Sequence, residues 1–156
     1  MKKTSSAWLI ATWFGCGYVP KGPGTMGALG SFVISVPLIF LGNMPAWGFA
    51  VLVLATFWPS IWASGVVARE TGGKDPQLVV VDEVLGQWLT LAGAARFNWV
   101  SLLLAFGLFR LFDIWKPWPV RNFERLPGGS GIVMDDVMAG VYGALVLFVL
   151  GWLKLY

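Results

Sequence analysis

The chain has 156 residues, 57% of them apolar and only 12% charged, and a formal net charge of +3. Soluble domains carry roughly 25% charged residues, so lipid has to be part of this chain's solvent, and the small dispersed positive charge argues for orientation in a membrane and not for nucleic acid as a partner. One cysteine and no histidine exclude a disulfide, a Ser–His or Cys–His pair and a phosphohistidine, leaving acid–base work to carboxylates, lysine, tyrosine or metal-activated water.

Lys2 and Lys3 followed by the apolar stretch 7–14 have the outline of a signal peptide. The stretch is short and no soluble domain follows it, so it is expected to stay with one domain covering residues 1–156. Next comes a glycine-proline loop, GCGYVPKGPGTMG at 15–27, whose free backbone N–H groups suit an anion. It lacks the Gly-Lys-Ser/Thr of a nucleotide-binding loop. Cys16 has no base near it in sequence and is expected to serve packing.

No charged residue occurs from 22 to 68, which at about 20 residues per span holds two helices. The turn GNMP at 42–45 divides them, giving spans near 26–41 and 45–68, the first interrupted by Pro37. Three shorter apolar runs follow, at 84–95, 97–109 and 137–153. Each carries charge at one end: Asp82 and Glu83 before the first, Arg110, Asp113 and Lys116 after the second, and Asp135 and Asp136 before the third.

A short turn at Arg96-Phe97-Asn98 makes the first two of these runs antiparallel, and alternation puts all three charged ends on one side. The expected fold is therefore all-α: an integral membrane bundle of about five membrane helices with a short or re-entrant N-terminal segment. Lys2, Lys3, Lys21, Arg69, Lys74, Arg110, Lys116, Arg121 and Arg125 fall on the charged side, against Arg96 and Lys154 opposite. The positive-inside rule makes that side cytoplasmic. Trp47, Trp99 and Trp152 stand near span ends, as interfacial anchors do.

Both acidic pairs follow an apolar triplet, and a glycine lies four residues beyond one acid of each, Gly86 after Asp82 and Gly140 after Asp136. On a helix that glycine shares the acid's face and lets another backbone come close. Attraction to a helix N-terminus explains one acid at a helix start. It does not explain two adjacent acids running into apolar sequence, where repulsion and desolvation both cost free energy. A hard divalent cation would offset both. Asp113 either pairs with Arg110 and Lys116, each three residues away, or joins the acidic site. Arg110 and Lys116 suit a phosphate group. A cation transporter would also pair acids in short helices, but its charges belong near the midplane rather than at one face.

Four segments in order, GYVPKGPGTMG at 17–27, VDEVLGQW at 81–88, FRLFDIWKPWP at 109–119 and GGSGIVMDDVMAG at 128–140, resemble the signature blocks of phosphatidylglycerophosphatase A. The resemblance spans most of the chain. It implies a bacterial inner-membrane enzyme that removes the terminal phosphate of phosphatidylglycerophosphate and requires magnesium, with its site facing the cytoplasm. The residues expected to do this are Asp82, Glu83, Asp135 and Asp136 as Mg²⁺ ligands, Asp113 completing the shell or acting as base, and Lys21, Thr25, Arg110 and Lys116 toward the substrate. Water and a carboxylate both remain possible nucleophiles.

Overall fold

The computed structural model describes residues 4–156; Lys2 and Lys3 lie outside the described residues. Among the described residues there are seven α-helices: α1 Ser5–Ala11, α2 Pro23–Phe40, α3 Ala46–Thr71, α4 Val81–Leu91, α5 Trp99–Trp115, α6 Val120–Phe123 and α7 Gly129–Trp152. One 3₁₀ turn, Cys16–Tyr18, separates α1 from α2, and there is no strand among the described residues. The all-α helical bundle expected from the sequence is observed, although fewer than the expected five helices are long and apolar enough to span a membrane. Its five longer helices are α2, α3, α4, α5 and α7.

Three of them, α2, α3 and α7, are long and apolar enough to cross a bilayer. The 17 residues of α5 reach about 26 Å and the 11 of α4 only about 16 Å. Helix α4 is therefore no span of its own. It is the buried element, with Val84, Leu85, Gln87, Thr90 and Leu91 all fully enclosed by the other helices. Pro37 and Pro59 sit inside α2 and α3 without ending them.

Close backbone approach sets the geometry around α4. At Gly86 an added Cβ would lie 2.7 Å from the Asp136 carbonyl oxygen of α7, and one at Gly140 would strike Gly86. Thr90 Oγ1 donates across this seam to the Gly140 carbonyl at 3.3 Å. Trp88 Nε1 donates to Ser35 Oγ at 3.0 Å and ties α4 to α2. Helix α1 packs against α3 through the buried Ala7 and Ala11, and Trp8 Nε1 donates to Glu70 at 2.6 Å.

The expected alternation is present. The starts of α2, α4 and α7 and the end of α5 gather at one end of the bundle, where Gly24 lies against Glu83 and Arg110 and where Lys116 reaches Asp135. At the other end Asn98 caps α5 by accepting from Ser101 N at 2.8 Å, and Arg96 donates to the Tyr156 carbonyl at 2.7 Å. Trp47, Trp99 and Trp152 are all exposed at this far end, while Trp115 and Trp118 are exposed at the near one. Trp99 and Trp115 stand 16 residues apart on α5, about 24 Å, a spacing suited to two membrane interfaces.

Candidate active site

At the near end a cleft of about 380 Å³ opens among α2, α4, α5, α7 and the segment before α4. Two acids come from the first turn of α4, Asp82 and Glu83. Two come from α7, which begins eight residues earlier than the apolar run at 137 suggested. Asp135 and Asp136 thus lie in the second turn of α7, not ahead of it. Three glycines in 128–131 disfavour helix taken alone, but Gly129 and Gly131 are helical and buried because their bare backbones pack against Ile61 and Leu126.

One carboxylate oxygen each from Asp82, Glu83 and Asp136 lies within 4.8 Å of the other two. Asp82 Oδ1 and Glu83 Oε2 are buried and accept no hydrogen bond among the described residues. Asp135 points elsewhere: its Oδ2 accepts from Lys116 Nζ at 2.7 Å and its Oδ1 from Asp136 N at 3.1 Å. Adjacent residues on a helix diverge by about 100°, so the pair on α7 serves two different neighbours.

The cations line the cleft beside these acids. Arg110 donates to Asp113 one helical turn on, and Asp113 also lies against Asp136 across the cleft. Lys116, at the end of α5, bridges to α7 through Asp135 and stands 3.7 Å from Glu124. Burial works against the Lys116 charge. The hydrogen bond and charge of Asp135 outweigh it and hold the ammonium protonated to higher pH than usual.

From the first loop, Pro20, Gly22, Pro23 and Gly24 line the cleft rather than Lys21 and Thr25, and Lys21 is exposed. Gly24 is the close contact there, since a Cβ at that position would meet the Glu83 carboxylate. Asp75 and Gln77 also line the cleft. They lie in an irregular segment with no periodicity to place them, and nearness to Asp82 is their one signal in the sequence. Cys16 is partly buried, and a Cβ on Gly30 would lie 3.0 Å from its sulfur.

Asp82, Glu83 and Asp136 fit a hard divalent cation. They offer three oxygens from two helices, two of the carboxylates have a buried oxygen with nothing to accept from, and no softer ligand is mixed among them. Such a set, with an arginine and a lysine beside it, suits a phosphate group.

The comparisons with known proteins agree. A family model described as Phosphatidylglycerophosphatase A matches residues 9–151. Phosphatidylglycerophosphatase A of Escherichia coli is 36% identical over 152 residues, covering 96% of this chain and 86% of the relative. The Haemophilus influenzae protein of the same name is 36% identical, covering 90% and 85%. A Bacteroides thetaiotaomicron protein, provisionally named a phosphatidylinositol-3-phosphatase, is 43% identical over 92% of both chains. No solved structure matches. With four charged or glycine-rich blocks converging on one cleft and a family match over nearly the whole chain, this protein belongs to the phosphatidylglycerophosphatase A family and is a membrane phosphatase, a phosphoric monoester hydrolase.

Proposed function

We propose that the protein hydrolyses the terminal phosphate of phosphatidylglycerophosphate to phosphatidylglycerol and inorganic phosphate, with Mg²⁺ held by Asp82, Glu83 and Asp136. The observation that carries this reading is the charge of the cleft. Six carboxylates line it, Asp75, Asp82, Glu83, Asp113, Asp135 and Asp136, against two cations, Arg110 and Lys116. Left alone, that excess of negative charge repels a phosphomonoester dianion. A divalent ion on the unpaired oxygens of Asp82 and Glu83 would offset part of that repulsion and set positive charge where the phosphoryl oxygens arrive, which supports a metal in the proposed function.

When bound, Mg²⁺ supplies positive charge to the phosphoryl oxygens and favours deprotonation of water at neutral pH. Arg110 is placed to grip a phosphoryl oxygen, with Asp113 fixing its guanidinium. Lys116 adds a point charge while positioning α7 through Asp135. Water adds to phosphorus, the bond from phosphorus to the glycerol oxygen breaks, and the proton that water gives up to a cleft carboxylate is returned to that oxygen as it leaves. Asp113 and Asp75 are the cleft carboxylates outside the ion set and the Lys116 pair, and either is placed to carry that proton.

Seven described basic residues stand at the cleft end, Lys21, Arg69, Lys74, Arg110, Lys116, Arg121 and Arg125, against Arg96 and Lys154 at the other. That asymmetry supports a cytoplasmic cleft in a bacterial inner membrane, where a newly made lipid phosphate would be presented.

The 43% identity to the Bacteroides protein favours a second reading, hydrolysis of a phosphoinositide. The acids and cations act on the phosphoryl group, which both lipids share. Phosphate release from each lipid by the purified protein with Mg²⁺ separates them. Faster release from phosphatidylglycerophosphate supports the first reading. A tenfold preference for the phosphoinositide replaces it with the second, and no release from either overturns both.

A further inference from the structure

Away from the acids, an apolar groove of about 300 Å³ runs between α2 and α5 on the outer surface of the bundle. Its walls are Leu29, Phe32 and Val36 on α2 and Trp99, Leu103 and Phe106 on α5. Two ring pairs join the helices along it, Phe32–Phe106 with centroids 6.4 Å apart in the middle and Phe40–Trp99 at 5.4 Å toward the far end.

Both walls are helical stripes that lead to the cleft. On α2 the spacing Thr25, Leu29, Phe32, Val36 keeps one face, and on α5 so does Arg110, Phe106, Leu103, Trp99. Each stripe runs from its first to its last residue over 11 helical steps, about 16 Å along its axis. The near ends meet at the cleft, because Gly24 at the start of α2 lies against Arg110. A groove that begins one turn from the phosphate-gripping arginine and descends into the hydrocarbon has the path of a chain attached to that phosphate.

We propose that this groove binds one acyl chain of the substrate phospholipid, so that α2 and α5 hold the chain while Arg110 and the acids hold its phosphate. The inference rests on the lipid phosphatase reading above. Other apolar faces of the bundle, such as the one carrying the exposed Leu54 and Trp58 on α3, meet bilayer lipid without such tethering. In the groove, the bound headgroup delivers its own chain at high effective concentration. Filling the groove should therefore harm substrates in proportion to their chains and leave the phosphate chemistry intact.

The test uses purified full-length protein in detergent, with phosphatidylglycerophosphate bearing two eighteen-carbon chains (a chemical choice, roughly matched to the depth of a leaflet) and its analogue with short chains. Leu103→Trp and Val36→Trp should each lower kcat/KM on the long-chain lipid about tenfold, with less than about threefold change on the short-chain analogue. Leu54→Trp on α3 should change neither. Equal losses on both lipids, or an unchanged rate on the long-chain one, would overturn the groove. A second measurement on unmodified protein is independent of turnover and of variant folding. A long-chain phosphatidylglycerophosphate with a photoactivatable group midway along one chain should label α2 and α5 several-fold over α3. Labelling spread evenly over the three helices contradicts the proposal. If the unmodified protein releases no phosphate from either lipid, the phosphatase reading fails by itself, and the labelling pattern still decides the groove.

Discussion

Gly86 and Gly140 meet where α4 crosses α7, and a Cβ on either would strike the backbone of the other helix. Each is one helical turn from a site acid, Asp82 on α4 and Asp136 on α7. The absence of two methyl groups thus sets how close the carboxylates come, and the catalytic centre depends on the packing of the helices that carry it.

Gly86→Ala tests that dependence. Its new methyl would also meet the Phe109 ring, and overpacking of this kind costs about 1–3 kcal/mol. A lowered thermal midpoint is expected, with phosphate release down by more than about tenfold in protein that remains folded. Gly107, whose Cβ would meet nothing, is the control, and Gly107→Ala should leave both readouts near the parent values.

The two acids of α7 should separate by function. Asp136→Asn removes an oxygen from the proposed ion site and should weaken Mg²⁺ binding, measured by titration calorimetry, along with activity. Asp135→Asn should leave ion affinity within about threefold while lowering stability, because it frees a half-buried Lys116. For a fully buried pair the loss reaches about 3–5 kcal/mol; with Lys116 24% exposed, about 2 kcal/mol is the better expectation. Equal loss of ion affinity in both variants would return Asp135 to the ion site.

Cys16→Ser should retain activity within a factor of about three, since the thiol has no base near it in sequence to activate it and does not line the acidic cleft. A loss beyond about tenfold, equivalent to 1.4 kcal/mol, in folded protein would mean that the first loop does chemistry assigned elsewhere.

Much of this was legible in the chain because helices impose a period. The charge-free run at 22–68, the acids placed at one end of each later run, and the glycines one turn from Asp82 and Asp136 all follow from length and periodicity. The start of α7 was not legible. Its glycines disfavour helix taken alone, and tertiary packing against α3 overrides that preference. Nor could sequence divide the acids between Lys116 and the triad, since which face of α7 meets which neighbour is a property of the assembled bundle. Asp75 and Gln77 lie in a segment with no period at all.

Sidedness is checked by single cysteines in a Cys16→Ser background. Cysteines replacing Lys74 or Arg125 should be shielded from an impermeant thiol reagent in intact cells, and one replacing Lys154 should react. Asn98 also marks the outer end but is the poorer site, because its side chain caps α5. Opposite sidedness for positions 74 and 125 would separate the helix ends that build the cleft.

The central claim is that a divalent ion on Asp82, Glu83 and Asp136 makes an acid-rich cleft accept a lipid phosphate. It is tested most directly by phosphate release from phosphatidylglycerophosphate by protein stripped with chelator, before and after Mg²⁺ is added. Activity should vanish in chelator and return with Mg²⁺, but fail to return in Asp136→Asn at the same ion concentration. Full turnover in excess chelator, with no metal detectable in the protein, would contradict it.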